Sequence, residues 1–107
     1  MPRTDLQMII DGEAVGSESG AWLDVRSPAT GEIVGRVPSG TAADVDRAVA
    51  AARAAFNDGR WARLLPAERA TALNRLADLI DERADDLARL ETLQTGSAYK
   101  LRRDSDL

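Results

Sequence analysis

The sequence predicts β-hairpins over the first forty residues followed by two long helices. Three observations predict it. Asp11-Gly12 lies between apolar runs; turn residues cluster at Ser17–Gly20, Ser27–Glu32 and Pro38–Gly40; and from residue 41 the apolar period changes from two to about 3.6.

The first strand is expected over Leu6–Ile10, returning as Ala14-Val15 after Asp11-Gly12-Glu13, because glycine tolerates the positive φ of a tight hairpin turn. Ser17-Glu18-Ser19-Gly20 turns the chain again. Trp22–Val25 and Ile33–Val37 read as a second pair of antiparallel strands, joined by a tight turn over Pro28–Glu32, with Trp22 expected to lie on a helical layer. The strands therefore occupy residues 6–37. Such a meander is marginal by itself and needs a layer to lie on.

Thr41-Ala42-Ala43-Asp44 has capping-box spacing, with Thr41 as N-cap and Asp44 in place of the usual Glu. The helix that follows, about 42–57, carries Val45, Val49, Ala52 and Phe56 on one stripe and mostly alanine on the other face. Asn57-Asp58-Gly59 ends it. A second helix, about 66–95, starts with Pro66 at its first position and Glu68 in its first turn. Leu65 is a poor cap, so this start is expected to be held by packing rather than by a side-chain hydrogen bond. Leu73, Leu76, Ile80, Ala84, Leu87 and Leu90 form its stripe, Gly96 terminates it, and a third helix is expected to start after residue 97.

Composition excludes several functions. The 107 residues carry 14 basic and 18 acidic side chains, a net charge of −4, and neither cysteine nor histidine. Thiolate zinc sites, cysteine nucleophiles and Ser-His-Asp machinery are therefore absent from this sequence. No apolar run reaches the roughly 20 residues that span a bilayer, and the N-terminus lacks a signal-peptide apolar region, so a cytoplasmic location is expected. Net acidity opposes a nucleic-acid footprint. The apolar fraction is 44%, but only four residues are aromatic, so the prospective core is thin.

The remaining motifs have plain explanations. The acidic group Asp78, Asp81, Glu82, Asp85 and Asp86 reads as a solvated helix face, since hard-cation sites want loop geometry and backbone oxygens. The leucine stripe has too few heptads, and Arg83 at a seam position, for a coiled coil. Lys100, Arg102 and Arg103 are balanced by Asp104 and Asp106. No glycine pattern matches a dinucleotide fingerprint or a P-loop. No catalytic, cofactor-binding or metal-binding residue is assigned. A helical protein-interaction module that docks a partner through Leu73–Leu90 is the alternative these residues leave open.

One ordered series carries more information. It runs through Asp11-Gly12-Glu13, Ser27-Pro28-Ala29-Thr30-Gly31-Glu32-Ile33, Ala43–Val49 and Ala51–Phe56. It continues through Trp61, Pro66–Arg69, Leu76–Ile80 and Leu90-Glu91-Thr92-Leu93-Gln94-Thr95-Gly96. In order and spacing it resembles the N-terminal fifth or quarter of the NAD(P)-dependent aldehyde dehydrogenases. The resemblance implies an α/β fold, with residues 1–107 forming the N-terminal part of a Rossmann-type cofactor domain. It also implies a parent oxidoreductase that converts an aldehyde to a carboxylic acid with NAD or NADP, as a homodimer or homotetramer. The family's catalytic cysteine, glutamate base and nucleotide-binding turn fall outside the matched residues, so this chain alone is expected to be inactive and to bind no cofactor. Some members hold a monovalent cation at positions matching Val25, Arg26 and Gln94; Gln94 stands where the family motif has aspartate, which leaves that site without its charge. Gln94–Lys100 and the Arg102-Arg103 that follow resemble members acting on small aminoaldehydes, such as aminobutyraldehyde, or on betaine aldehyde.

Overall fold

The structure, a computed structural model, describes residues 3–100. Five short strands precede three helices: β1 (Thr4–Asp5), β2 (Met8–Ile10), β3 (Glu13–Val15), β4 (Trp22–Arg26), β5 (Ile33–Pro38), α1 (Ala42–Asn57), α2 (Pro66–Glu82) and α3 (Ala84–Thr95). The described residues divide into two compact units, one of 3–25 with 33–64, the other of 26–32 with 65–100.

In the first unit, β2 and β3 form an antiparallel ribbon in the register Met8↔Val15, Ile9↔Ala14 and Ile10↔Glu13. Asp11 and Gly12 both adopt positive φ, 53° and 77°, as the two central residues of a type I′ turn require. A second sheet has the order β1-β5-β4. Hydrogen bonds at both ends of the β4–β5 pair, Ser27 N–H to Glu32 O (2.9 Å) and Ser39 N–H to Ala21 O (2.8 Å), run it antiparallel. The expected meander omits β1, which adds to the free edge of β5 in parallel, pairing Thr4 with Gly35 and Asp5 with Arg36. Two residues are too few to show an alternating pattern, so Thr4-Asp5 carries no strand signal of its own. Gly35 makes the pairing possible, because a Cβ there would run into the Thr4 carbonyl. Arg36 holds β1 as well: its guanidinium reaches Asp5 Oδ2 at 3.2 Å and lies over the Trp22 ring, 4.9 Å from the centroid.

The capping box at Thr41 forms. The Asp44 N–H donates to Thr41 Oγ1 (3.2 Å), and the Thr41 N–H donates to Asp44 Oδ2 (2.9 Å). The stripe Val45, Val49, Ala52, Phe56 is exposed, whereas on another side Asp44 is buried and Ala51 and Ala55 are half-buried. Their short side chains let the backbone on that side approach its neighbours closely.

In the second unit, the turn Ser27–Glu32 is closed by the main chain of Ser27, whose carbonyl accepts from the Gly31 N–H at 2.7 Å. Helix α2 starts as its proline dictates, but not by packing alone: Glu68 Oε2 accepts from the Leu65 N–H at 2.7 Å, half of a capping box. The single helix expected over 66–95 is two helices, broken at Arg83 (φ −113°, ψ 13°). Like charges explain the break. Asp81–Asp85 and Glu82–Asp86 would be i,i+4 repulsions in a continuous helix. The break instead places Asp85 and Asp86 in the first turn of α3, where the helix dipole favours them. Ala84 and Ala88, one turn apart on α3, are buried. Helix α3 ends at Gly96 (φ 76°), whose N–H donates to Thr92 O at 2.9 Å and against whose Cα Pro28 packs. Tyr99 and Lys100 are again helical; the rest of the third helix expected from the sequence, with Arg102, Arg103, Asp104 and Asp106, lies outside the described residues.

Candidate functional site

The most elaborate polar constellation among the described residues centres on Asp44, which is 2% exposed. Capping places it at the N-terminus of α1, and the Ser17–Gly20 turn folds over it. Oδ2 accepts from the Thr41 N–H at 2.9 Å, the Glu18 N–H at 3.2 Å and the Ser17 hydroxyl at 3.0 Å. Oδ1 accepts from Arg47 Nη2 at 2.7 Å and shares the Glu18 N–H at 3.2 Å. Ser17 Oγ also lies 2.5 Å from Ser39 O, so its single proton serves either acceptor. These donors, the Thr41 N–H foremost, hold the Asp44 carboxyl far below the usual carboxylate range. With its lone pairs engaged and its acidity raised, Asp44 is a poor base. Its chemistry is that of an anchor joining the second turn to α1. Thr41-Ala42-Ala43-Asp44 predicts the cap; nothing in the sequence spacing connects residue 44 to residues 17 and 18.

Among the described residues, no group of three or more His, Cys, Asp or Glu side chains is placed to hold a metal ion. In the acidic run, Glu82 pairs with Arg75 at 3.4 Å and Asp85 accepts from the Tyr99 hydroxyl at 2.9 Å. The Arg26 guanidinium donates to Gly31 O at 3.1 Å, and Gln94 Nε2 donates to Glu91 Oε2 at 2.9 Å. Gln94 offers a neutral carbonyl oxygen where the family motif has a carboxylate. Among the described residues, Gly12, Gly20, Gly31, Gly59 and Gly96 take positive φ, each in a separate turn or cap.

The exposed face of α1 is the other distinctive surface. Val45, Val49 and Phe56 are 58%, 61% and 70% exposed, and Val49, Ala52, Arg53 and Phe56 line an open groove of about 270 Å³. The Arg53 guanidinium lies over the Phe56 ring, 5.7 Å from its centroid.

Comparison with known proteins places these features in a larger frame. Residues 15–106 match the model of the aldehyde dehydrogenase family. The chain is 42% identical over 94 residues to the mitochondrial aldehyde dehydrogenase family 2 member B4 of Arabidopsis thaliana, covering 88% of this chain and 18% of that one. The structure superposes on an NAD-dependent aldehyde dehydrogenase of Sinorhizobium meliloti with a TM-score of 0.92 and 42% identity, covering 94% of this chain and 20% of that one. A betaine aldehyde dehydrogenase of Staphylococcus aureus, in complex with NAD+, superposes with a TM-score of 0.87 at 37% identity, covering 91% of this chain and 20% of that one. The chain spans about one fifth of the length of the relatives it matches.

Proposed function

The chain belongs to the aldehyde dehydrogenase family, and from that premise we propose that it forms the N-terminal part of the cofactor domain of an oxidoreductase. That enzyme would oxidise a small aldehyde to a carboxylic acid, with NAD(P)+ taking the hydride. The observation that carries the reading is the near-complete superposition on one fifth of an NAD-dependent enzyme.

In this reading the residues described here supply no reacting group. They have neither thiol nor imidazole, and their best-placed carboxylate, Asp44, is spent on hydrogen bonds. Their part is architectural: the Asp44 anchor fixes the entry to α1, and the Pro28–Gly96 contact fixes the turn after β4 to the end of α3. The thiol, the base and the nucleotide-binding turn belong to the remaining four fifths of the enzyme. A cytoplasmic dimer or tetramer completes the proposal. An aminoaldehyde or betaine aldehyde substrate is its narrowest form, supported by the likeness of Gln94–Lys100.

The isolated chain is expected to produce no NADH from short aldehydes and to bind NAD no better than a buffer control in calorimetric titration. A graft that replaces the matching segment of the Sinorhizobium meliloti enzyme with this chain is expected to bind NAD and oxidise aldehydes. A graft that folds and binds NAD but oxidises none, or turnover by the isolated chain that survives repurification, overturns the reading.

A further inference from the structure

We propose that Asp11 is a site of isoaspartate formation, and through it of carboxyl methylation from S-adenosylmethionine, whereas the fold protects the chain's second Asp-Gly step, Asp58-Gly59.

The chemistry needs only water. Glycine, without a Cβ, hinders attack on the preceding side chain least. The Gly12 amide nitrogen attacks Cγ of Asp11, and the amide proton leaves with the carboxyl hydroxyl as water, closing a cyclic imide. Water then reopens the ring. When it breaks the bond between the Gly12 nitrogen and the original main-chain carbonyl, the chain runs on through Cβ and Cγ of Asp11. The former main-chain carbonyl becomes a free α-carboxylate. An oxygen of that carboxylate is the acceptor a carboxyl methyltransferase requires. It takes the methyl group from the sulfonium of S-adenosylmethionine, and S-adenosylhomocysteine leaves.

Two identical dipeptides in opposite surroundings carry the inference. At the first, Asp11, Gly12, Glu13 and Ala14 are all exposed, and nothing lies within 4 Å of the Cβ position of Gly12. Among the described residues, no hydrogen bond engages the Asp11 carboxylate or the Gly12 N–H. The Asp11 charge acts on Arg60 only at a distance. The turn caps a two-stranded ribbon of three residue pairs, which is marginal as a sheet, so its tip opens at little cost.

At the second, every group the reaction uses is occupied. Arg60 donates to the Asp58 carboxylate from Nε at 2.9 Å, from Nη2 at 2.6 Å and from its main-chain N–H at 2.8 Å. These bonds, the side chain's foremost, hold the Asp58 carboxyl below its usual range, and an ionised carboxylate has no hydroxyl to lose as water. The Gly59 N–H, the nucleophile there, donates to Phe56 O at 3.4 Å. Gly59 itself is buried, with the Arg63 side chain in the space a Cβ would need. The Asp58 N–H is tied to Ala54 O at 3.0 Å. Isomerisation at Asp11 has a structural consequence as well. It inserts a methylene into the main chain of a two-residue turn, on whose length the register Ile10↔Glu13 depends.

The test ages the 107-residue chain at neutral pH, then supplies an isoaspartyl carboxyl methyltransferase with labelled S-adenosylmethionine and maps the label by proteolysis and mass spectrometry. Label should enter the Asp11 peptide about tenfold faster than the Asp58 peptide. Chain aged in urea, where both steps lose their surroundings, should show rates within about twofold of one another. Arg60→Ala, which removes the charged bonds to Asp58, should quicken labelling there about threefold or more and leave the Asp11 rate unchanged. No label at Asp11, or equal labelling of the two peptides in native buffer, overturns the proposal. A tenfold difference that survives urea overturns it too, because local sequence rather than the fold would then set the rates. So does an Asp58 rate indifferent to Arg60→Ala.

Discussion

Replacing Gly96 with alanine separates two costs that usually arrive together. Gly96 has φ 76°, and a Cβ built on it meets Pro28 Cγ at 3.0 Å. Gly31 has the same φ of 76° with nothing within 4 Å of its Cβ position. The left-handed backbone costs a non-glycine residue about 1–2 kcal/mol at either position. A carbon well inside the optimal separation of about 3.5–4.0 Å adds about 1 kcal/mol at Gly96 alone. Each amide reports on its own opening, since the Gly96 N–H donates to Thr92 O at 2.9 Å and the Gly31 N–H to Ser27 O at 2.7 Å. Amide hydrogen exchange followed by NMR should therefore quicken about 5–30-fold in Gly31→Ala and about 30–150-fold in Gly96→Ala. Adding Pro28→Ala removes the clashing Cγ, and the double variant should fall back to the range of the Gly31 variant. Equal acceleration at the two positions, or no recovery in the double variant, would refute the Pro28 contact as the cause.

Gly35→Ala should detach β1, because its Cβ collides with the Thr4 carbonyl; faster exchange of the Leu6 amide, which donates to Arg36 O at 3.0 Å, is the readout, and an unchanged rate counts against the pairing. Asp44→Asn should loosen the entry to α1 in a pH-dependent way. The folded carboxyl titrates below its ordinary 3.8, chiefly through the Thr41 N–H, so its stabilisation is present above that pH and is lost as the pH falls through the folded value. The wild-type advantage in helical circular dichroism should thus hold at neutral pH and shrink below about pH 4; an advantage that grows on acidification would reverse the assignment. The isolated chain should bind hydrophobic dyes and self-associate non-specifically, since thirteen large apolar side chains among the described residues are exposed. A sharp two-state melt from a strictly monomeric species would favour an autonomous interaction module.

Where a feature depends on residues close in sequence, the sequence reveals it. Asp11-Gly12 specifies its turn because both residues must accept positive φ, and Thr41 with Asp44 specifies a cap because the acid falls three positions after the threonine. The ordered series from Asp11 to Gly96 likewise carries the family, since many weak local matches in register exceed any one of them. Features made by distant residues stay hidden. Nothing in Gly35 shows that Thr4 will cross it, and nothing in Ser17-Glu18 shows that Asp44 will sit beneath them. At Arg83 the i,i+4 acid pairs Asp81–Asp85 and Glu82–Asp86 are visible in the sequence, but an unbroken leucine stripe across the same residues outweighs them when periodicity alone is read.

The two kinds of interaction in this chain divide its stability unevenly. Short-range polar bonds fix the local geometry: the capping box, the Asp44 anchor, the Glu68 bond to the Leu65 amide and the Gly96 cap each hold one helix end or one turn. Such bonds specify shape, yet each adds only about 0.5–1.5 kcal/mol net, or about 1.5–3 kcal/mol where a charge is involved. Burial of large apolar groups, which ordinarily dominates, is scarce, for the buried apolar residues among those described are Ala84 and Ala88. A chain built this way has well-determined pieces and a weak common core. Covering Val45, Val49 and Phe56 would add roughly 1.5–3 kcal/mol for each side chain fully buried, comparable with the whole stability of a marginal domain.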